Sequence, residues 1–121
     1  MKFELPFATP SNNAVMRMHY RKRTQQHHDY TLEVKSLVSY QEVFKRCKIT
    51  VTRHASRQLD WDNMGGGLKF LLDAMVKNGI IQDDNPKCVV SLDLKQEKCR
   101  RKEEKTVVEI EDLERELLNW N

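Results

Sequence analysis

Residues 47–94, CKITVTRHASRQLDWDNMGGGLKFLLDAMVKNGIIQDDNPKCVVSLDL, hold a strand, a helix and a second strand in succession. CKITVTRH (47–54) alternates about Ile49 and Val51 and carries β-branched residues, the pattern of a half-buried strand. From Leu68 to Asn78 the apolar positions Leu68, Leu71, Leu72, Met75 and Val76 recur at i, i+3, i+4, i+7 and i+8, which predicts one apolar stripe on a three-turn helix. Gly79 stands just past Asn78, where such a helix stops. KCVVSLDL (87–94) reads as the second strand. Two carboxylate pairs flank the helix, Asp60 with Asp62 and Asp83 with Asp84. Residues two apart in extended chain project from one face, so Asp60 and Asp62 form a unit. Antiparallel strands would bring the two pairs together directly; parallel strands require the helix to carry the chain back. About 11 helical residues span only ~16 Å, so one site shared by both pairs is the expectation.

Outward from this unit, TVVEIED (106–112) predicts another strand, reached through the charged turn QEKCRRKEEK (96–105), and residues 113–120 a short closing helix. At the other end, Phe3, Leu5 and Phe7 alternate loosely as a strand ending at Pro6 or Pro10. PSNN (10–13) is a turn in which Ser11 or an Asn caps the next segment. Residues 17–30, RMHYRKRTQQHHDY, read as an exposed basic loop or arm, and a helix is expected within 30–46. The fold class expected is therefore α+β: a single domain over 1–121 with a central mixed sheet of about four strands and two to three helices.

The totals narrow the function. A chain of 121 residues with 39% hydrophobic and 32% charged residues is too apolar for general disorder and too polar for a membrane protein. No apolar run approaches the ~20 residues of a membrane helix. MKFELPFATP places Glu4 inside its apolar patch and lacks a signal-peptide layout, so a cytoplasmic protein without a membrane partner is expected. Cys47, Cys88 and Cys99 show no CxxC spacing and read as reduced thiols. His27 and His28 are adjacent and no HExxH occurs, which argues against zinc. Residues 1–59 hold 11 Lys/Arg and 4 Asp/Glu, a balance of +7, whereas residues 60–121 hold 10 and 14, a balance of −4. A basic half beside an acidic cluster suits an anionic partner delivered to a metal site, against the blander reading of an uneven solvated surface.

Converging carboxylates repel one another, and a hard divalent cation resolves the repulsion. Mg²⁺ or Mn²⁺ takes oxygen ligands, keeps waters and bridges carboxylates to phosphate. Lys69 at the start of the helix would add positive charge near a phosphate; alone, it also reads as an i,i+4 partner of Asp73. Each aspartate pair alone is ordinary turn or cap chemistry. Gly65–Gly67 lack the GxxxxGK[ST] of a P-loop and read as a flexible connection.

The order PSNN (10–13), DWDN (60–63), Lys69 with DAM (73–75), then Gly79 with Asp83-Asp84 and two strands resembles the RusA family of Holliday-junction resolvases over nearly the whole chain. The resemblance implies a small mixed α/β homodimer from a bacterial or prophage setting that cuts branched DNA, above all four-way junctions, with Mg²⁺ or Mn²⁺. It assigns metal binding and catalysis to Asp60, Asp62 and Asp84, a catalytic role to Lys69, and support to Asp83 and Asn63. The family lysine usually follows the second aspartate of DxD by four residues; here the spacing is seven, read as a three-residue insertion within MGGG (64–67). A twofold substrate needs two nicks, and one carboxylate cluster per chain therefore calls for a twofold dimer. Arg17, Arg21, Lys22 and Arg23 are the expected phosphate contacts, with Arg53 and Arg57 beside the site. Two other readings stand beside the resolvase: a non-cleaving protein that binds branched DNA, and a nuclease of the same chemistry on other branched or flap DNA.

Overall fold

Alternation in β2 (Cys47–Ala55) buries Cys47, Ile49 and Val51 and leaves Lys48, Thr50 and Thr52 on the opposite face. The computed structural model describes residues 1–39 and 42–114. β1 (Lys2–Leu5), β2, β3 (Val89–Lys98) and β4 (Lys105–Asp112) form one mixed sheet in the order β1-β4-β2-β3. β4 runs antiparallel to both its neighbours. β2 and β3 are parallel, with Cys47 opposite Val89 and Ala55 opposite Lys98. The helical segment between them therefore carries the chain back along the pair.

Among the described residues four helices accompany the sheet: α1 (Asn12–Arg17), α2 (Tyr20–Leu37), α3 (Trp61–Gly66) and α4 (Lys69–Lys77). Phe70, Leu71, Ala74 and Met75 of α4 meet the inward residues Leu5, Ile49, Val51, Val108 and Ile110 in one core. Burying each large side chain contributes roughly 1.5–3 kcal/mol, so this stripe is the main seam of the molecule; it shares Leu71 and Met75 with the expected stripe, but Phe70 and Ala74 take the buried positions and Leu72 and Val76 are only partly buried. Gly79, just beyond α4, turns the chain with φ +69, a conformation that glycine adopts without steric cost. The opposite face of the sheet is polar and carries two ion pairs, Lys48–Asp93 at 3.2 Å and Lys105–Glu4 at 3.6 Å.

Three expectations are corrected. Residues 17–30 are not a loop or arm; they close α1 and form the first half of α2. Only Tyr30 and Val34 are buried in α2, so it has almost no apolar period to read, yet no Gly or Pro interrupts residues 11–64. β3 continues to Lys98, and the expected charged turn shrinks to a 3-10 turn at Arg101–Glu103. As an edge strand, β3 holds its charges in solvent without leaving the sheet. The expected closing helix beyond Glu114 lies outside the described residues.

The third correction concerns MGGG. Met64, Gly65 and Gly66 form the second half of α3, and Gly67 is its C-cap. The helix joins α4 through one tightened turn, Gly67 N to Asn63 O and Leu68 N to Gly65 O, both 3.2 Å. These residues are helical, not a flexible connection. A Cβ on Gly67 would lie 1.7 Å from the Pro10 carbonyl oxygen, and one on Gly66 would lie 2.5 Å from the Asn12 side chain. The glycines thus let the Pro10–Asn13 backbone lie directly against α3. Gly65 has no such neighbour; its nearest atom is Leu94 Cδ1 at 3.8 Å. Gly67→Ala should therefore destabilise the fold by about 2–3 kcal/mol through overpacking, and Gly65→Ala should stabilise it by roughly 0.5–1 kcal/mol through helix propensity. Urea unfolding of the two variants checks both signs.

Candidate active site

Asp60 has extended backbone geometry (φ −65, ψ 159) and is the N-cap of α3. Its Oδ1 accepts the Asn63 backbone N–H at 2.9 Å, and its Oδ2 accepts the Asn63 side-chain amide at 3.0 Å. These two bonds, first the backbone one, hold the Asp60 carboxyl below the usual carboxylate range. Each oxygen keeps a lone pair for another partner. The Asn63 Oδ1 in turn accepts the Asn13 backbone N–H at 3.2 Å. PSNN and DWDN, 50 residues apart in the chain, therefore meet in one bonded array, with Ser11 capping α1 by accepting Ala14 N–H at 3.0 Å.

The segment leading to Asp60 is pinned from the other side. Gln96 of β3 accepts from Leu59 N at 2.8 Å and donates to Leu59 O at 2.7 Å. Arg53 donates from Nε to Thr9 O and from a terminal nitrogen to Arg57 O, both at 2.8 Å. The expected phosphate contact at Arg53 is thus committed to backbone carbonyls as a strut, with its burial lowering its affinity for the proton. Arg57 is exposed. Gln96 is not singled out by the sequence, which offers Asn13 only as part of the PSNN turn and Gly66 and Gly67 only as part of MGGG; each acts through residues far away in the chain, so no local pattern marks its contact.

Asp62 lies in the first turn of α3, exposed, where a negative charge is favoured by the helix N-terminus. Asp83 shapes its own loop: its Oδ1 accepts Asp84 N–H at 2.7 Å and its Oδ2 the Asn85 side-chain amide at 3.0 Å. Asp84 is exposed beside it. Neither the Asp62 nor the Asp84 carboxylate is engaged in a hydrogen bond or ion pair among the described residues.

The two pairs do not meet within one chain. Leu59, next to Asp60, is clamped at Gln96 near the end of β3, whereas Gln82, next to Asp83, bonds Phe44 O at 3.0 Å ahead of β2. Parallel pairing sets these at opposite ends of β2 and β3, ~20–25 Å apart at ~3.3 Å per residue. Among the described residues no three His, Cys, Asp or Glu side chains gather as a metal-holding group. The expectation of one site shared by both pairs is corrected for the single chain. The strand direction, which periodicity leaves open, is the reason. The donor chemistry of each pair still fits a hard divalent cation, being all carboxylate oxygen.

Lys69, the first residue of α4, lies 3.9 Å from Asp73 on the side facing α2 and is 67% exposed. Such a long, exposed i,i+4 pair holds its lysine weakly. Asp73 also meets His27 Nδ1 at 3.5 Å. Burial lowers the His27 pKa despite Asp73, so at neutral pH this contact is made by an uncharged ring. His27 stacks edge-on against Phe70 at 4.7 Å, and Thr31 O accepts from Asn78 at 3.0 Å, so α2 and α4 run side by side in one direction. The first turns of α2, with exposed Arg21, Lys22 and Arg23, consequently project past the start of α4 toward the Asp60 end. Arg17 is exposed in the last turn of α1, which packs on α3.

The protein-family model described as Endodeoxyribonuclease RusA matches residues 10–111, from PSNN through most of β4. None of the curated proteins compared with the chain matches it. The match spans most of the chain, which belongs to the RusA family and so to the endodeoxyribonucleases that act on Holliday-junction DNA.

Asn63→Ala should release the Asp60 carboxyl toward its ordinary, higher pKa, because the bonds that favour its charged form disappear. Their stabilisation is present above the unfolded-state pKa and is lost as pH falls through the folded one. Carboxyl-carbon NMR titration of wild type and variant at acid pH measures the upward shift.

Proposed function

We propose that this RusA-family chain hydrolyses phosphodiesters in four-way DNA junctions, by paired symmetric nicks, with Mg²⁺ or Mn²⁺ held by Asp60, Asp62 and Asp84. The observation that carries this reading is Asp60: a carboxylate kept ionised and fixed by Asn63, beside the uncommitted Asp62, at the end where α2 presents its basic turns. A divalent cation, when bound, supplies Lewis acidity toward water and phosphate. The chain's own residues do the rest. Asn63 sets the direction of the Asp60 lone pairs. Asp62 adds a second hard donor at the favoured end of a helix. Arg21, Lys22, Arg23 and Arg17 neutralise backbone phosphates and orient the duplex arms, with Arg57 near the turn before Asp60. Lys69 is freed from its weak pairing with Asp73 at little cost and offers its charge to the substrate phosphate. Asp83 preforms the loop that presents Asp84.

The reading as a non-cleaving junction-binding protein draws on the separation of the two aspartate pairs in one chain. Incubation with a synthetic four-way junction separates the readings. Symmetric nicks that need Mg²⁺ or Mn²⁺ and vanish in Asp62→Asn are expected, with Asn63→Ala reduced about 10–100-fold, as for partners that orient metal ligands. Tight binding without metal-dependent nicks sinks the enzyme reading. Faster cutting of flap or linear duplex than of junctions removes the junction selectivity.

The basic face has its own test. Replacing Arg21, Lys22 and Arg23 with Ala should weaken junction binding and flatten the log–log salt dependence by about 2–3 units, near 0.9 for each phosphate that is no longer neutralised. Fluorescence anisotropy over a salt series measures the slope.

A further inference from the structure

Among the described residues only two Phe, Tyr or Trp side chains are exposed, Tyr20 at 60% and Trp61 at 58%. Tyr20 is already engaged. Its hydroxyl accepts from Arg21 Nε at 3.2 Å, and the His19 ring lies 4.5 Å from its own. Trp61 is not engaged. Among the described residues its indole N–H donates no hydrogen bond, its ring meets no other ring, and it stays outside the core cluster. Its neighbours in the chain do the opposite: Leu59 packs on the core, and Met64 is buried within it.

The free ring nevertheless stands on a rigid base. Gln96 bonds both the N–H and the carbonyl of Leu59, Asn63 fixes Asp60, and Asn13 is tied to Asn63. A large aromatic with two χ angles, mounted on so fixed a backbone, meets a flat partner at little cost in conformational entropy.

We propose that Trp61 is a specificity-determining residue, which stacks on a base left without a stacking neighbour at the branch point of the DNA. The assignment rests on the nuclease reading above, because it takes Asp60 and Asp62 as the groups that serve the phosphate.

The flanking residues choose this occupant. Trp61 stands between Asp60 and Asp62, so whatever covers its ring also approaches two carboxylates. A protein surface would strip water from both, and the cores of protein interfaces are depleted in such charges. A nucleotide avoids that cost. Its phosphate is the group that carboxylates bridge through a hard cation, and its base, one sugar away, offers an uncharged face to the indole. Every base has such a face, and aromatic side chains hold unpaired nucleotides by stacking without reading their sequence.

Selectivity for branched DNA follows from the same contact. In a continuous duplex both faces of each base are covered, and freeing one means breaking a stack and a pair. At a branch point the pairs flanking the crossover end in different arms, so a terminal base opens with less loss. Phosphate contacts from Arg17, Arg21, Lys22 and Arg23 are available on any duplex and give affinity without discrimination. Trp61 adds a contact that only an interrupted stack can meet.

Trp120→Phe leaves Trp61 as the only tryptophan of the chain. In that background, with EDTA present, a four-way junction should quench the indole emission and a linear duplex of equal length should not. Trp61→Ala should weaken junction binding about 10–100-fold and duplex binding less than about 3-fold, as for the loss of one stacked base. Trp61→Phe should recover most of that loss and Trp61→Leu should not, with circular dichroism unchanged throughout. Equal quenching by junction and duplex, an equal loss on both, or full junction affinity in Trp61→Leu overturns the proposal. A changed sedimentation coefficient in Trp61→Ala also overturns it, by assigning the ring to a protein contact. Junction-specific quenching in a chain that makes no metal-dependent nicks upholds the stacking and sinks the nuclease reading. Metal-dependent junction nicks without quenching uphold the nuclease reading and sink the stacking.

Discussion

The parallel pairing of β2 with β3 is the constraint on which the rest of the molecule depends. Parallel neighbours cannot be joined by a hairpin, so the chain must return along the pair before starting the second strand. α3 and α4 make that return, and α4 supplies the apolar stripe that covers the sheet. The same geometry determines where the carboxylates go: residues just ahead of the returning helices stand at one end of the strands, and residues just after them stand at the other.

At the Asp60 end the chain builds a small, heavily cross-tied array. Asn63 joins the cap of α3 to the backbone of Asn13, and Gln96 and Arg53 hold the approach to Asp60 from the sheet side. Gly66 and Gly67 make this possible by giving up side chains where Pro10 and Asn12 pass. A short helix that closes on three consecutive glycines is poor by propensity. It persists because tertiary contacts, not local preference, select it. The result is a carboxylate whose orientation is set before any ligand arrives.

Much of this was legible in the sequence, and the reasons for success and failure differ. β2, α4, β4 and the stop at Gly79 all carry strong local patterns, alternation or an apolar stripe, and the sheet class follows from them. The family resemblance rests on PSNN, DWDN and DD, and the fold brings PSNN against DWDN while DD stands at the other end of the strands. α2 escaped because a helix that buries only Tyr30 and Val34 writes almost no period into its sequence. α3 escaped because glycine signals a breaker when read locally, while its partner, Pro10, is far away in the chain. The placement of Asp84 relative to Asp60 escaped because strand direction is not written in either strand.

The polar face of the sheet has a consequence for how DNA approaches. It carries both signs, with Lys48 paired to Asp93 and Lys105 to Glu4 and Lys2 and Lys95 sharing the face with Glu97, Glu109 and Glu111, so at a distance their fields largely cancel. A run of exposed positive charge of one sign, Arg17, Arg21, Lys22 and Arg23, lies instead on α1 and the first turns of α2. An incoming polyanion thus experiences the molecule as one-sided: attracted toward the helices and nearly indifferent to the back of the sheet. Orientation is selected during diffusion, before contact, and the rate of productive encounter becomes a property of the surface that is neutral as much as of the surface that attracts.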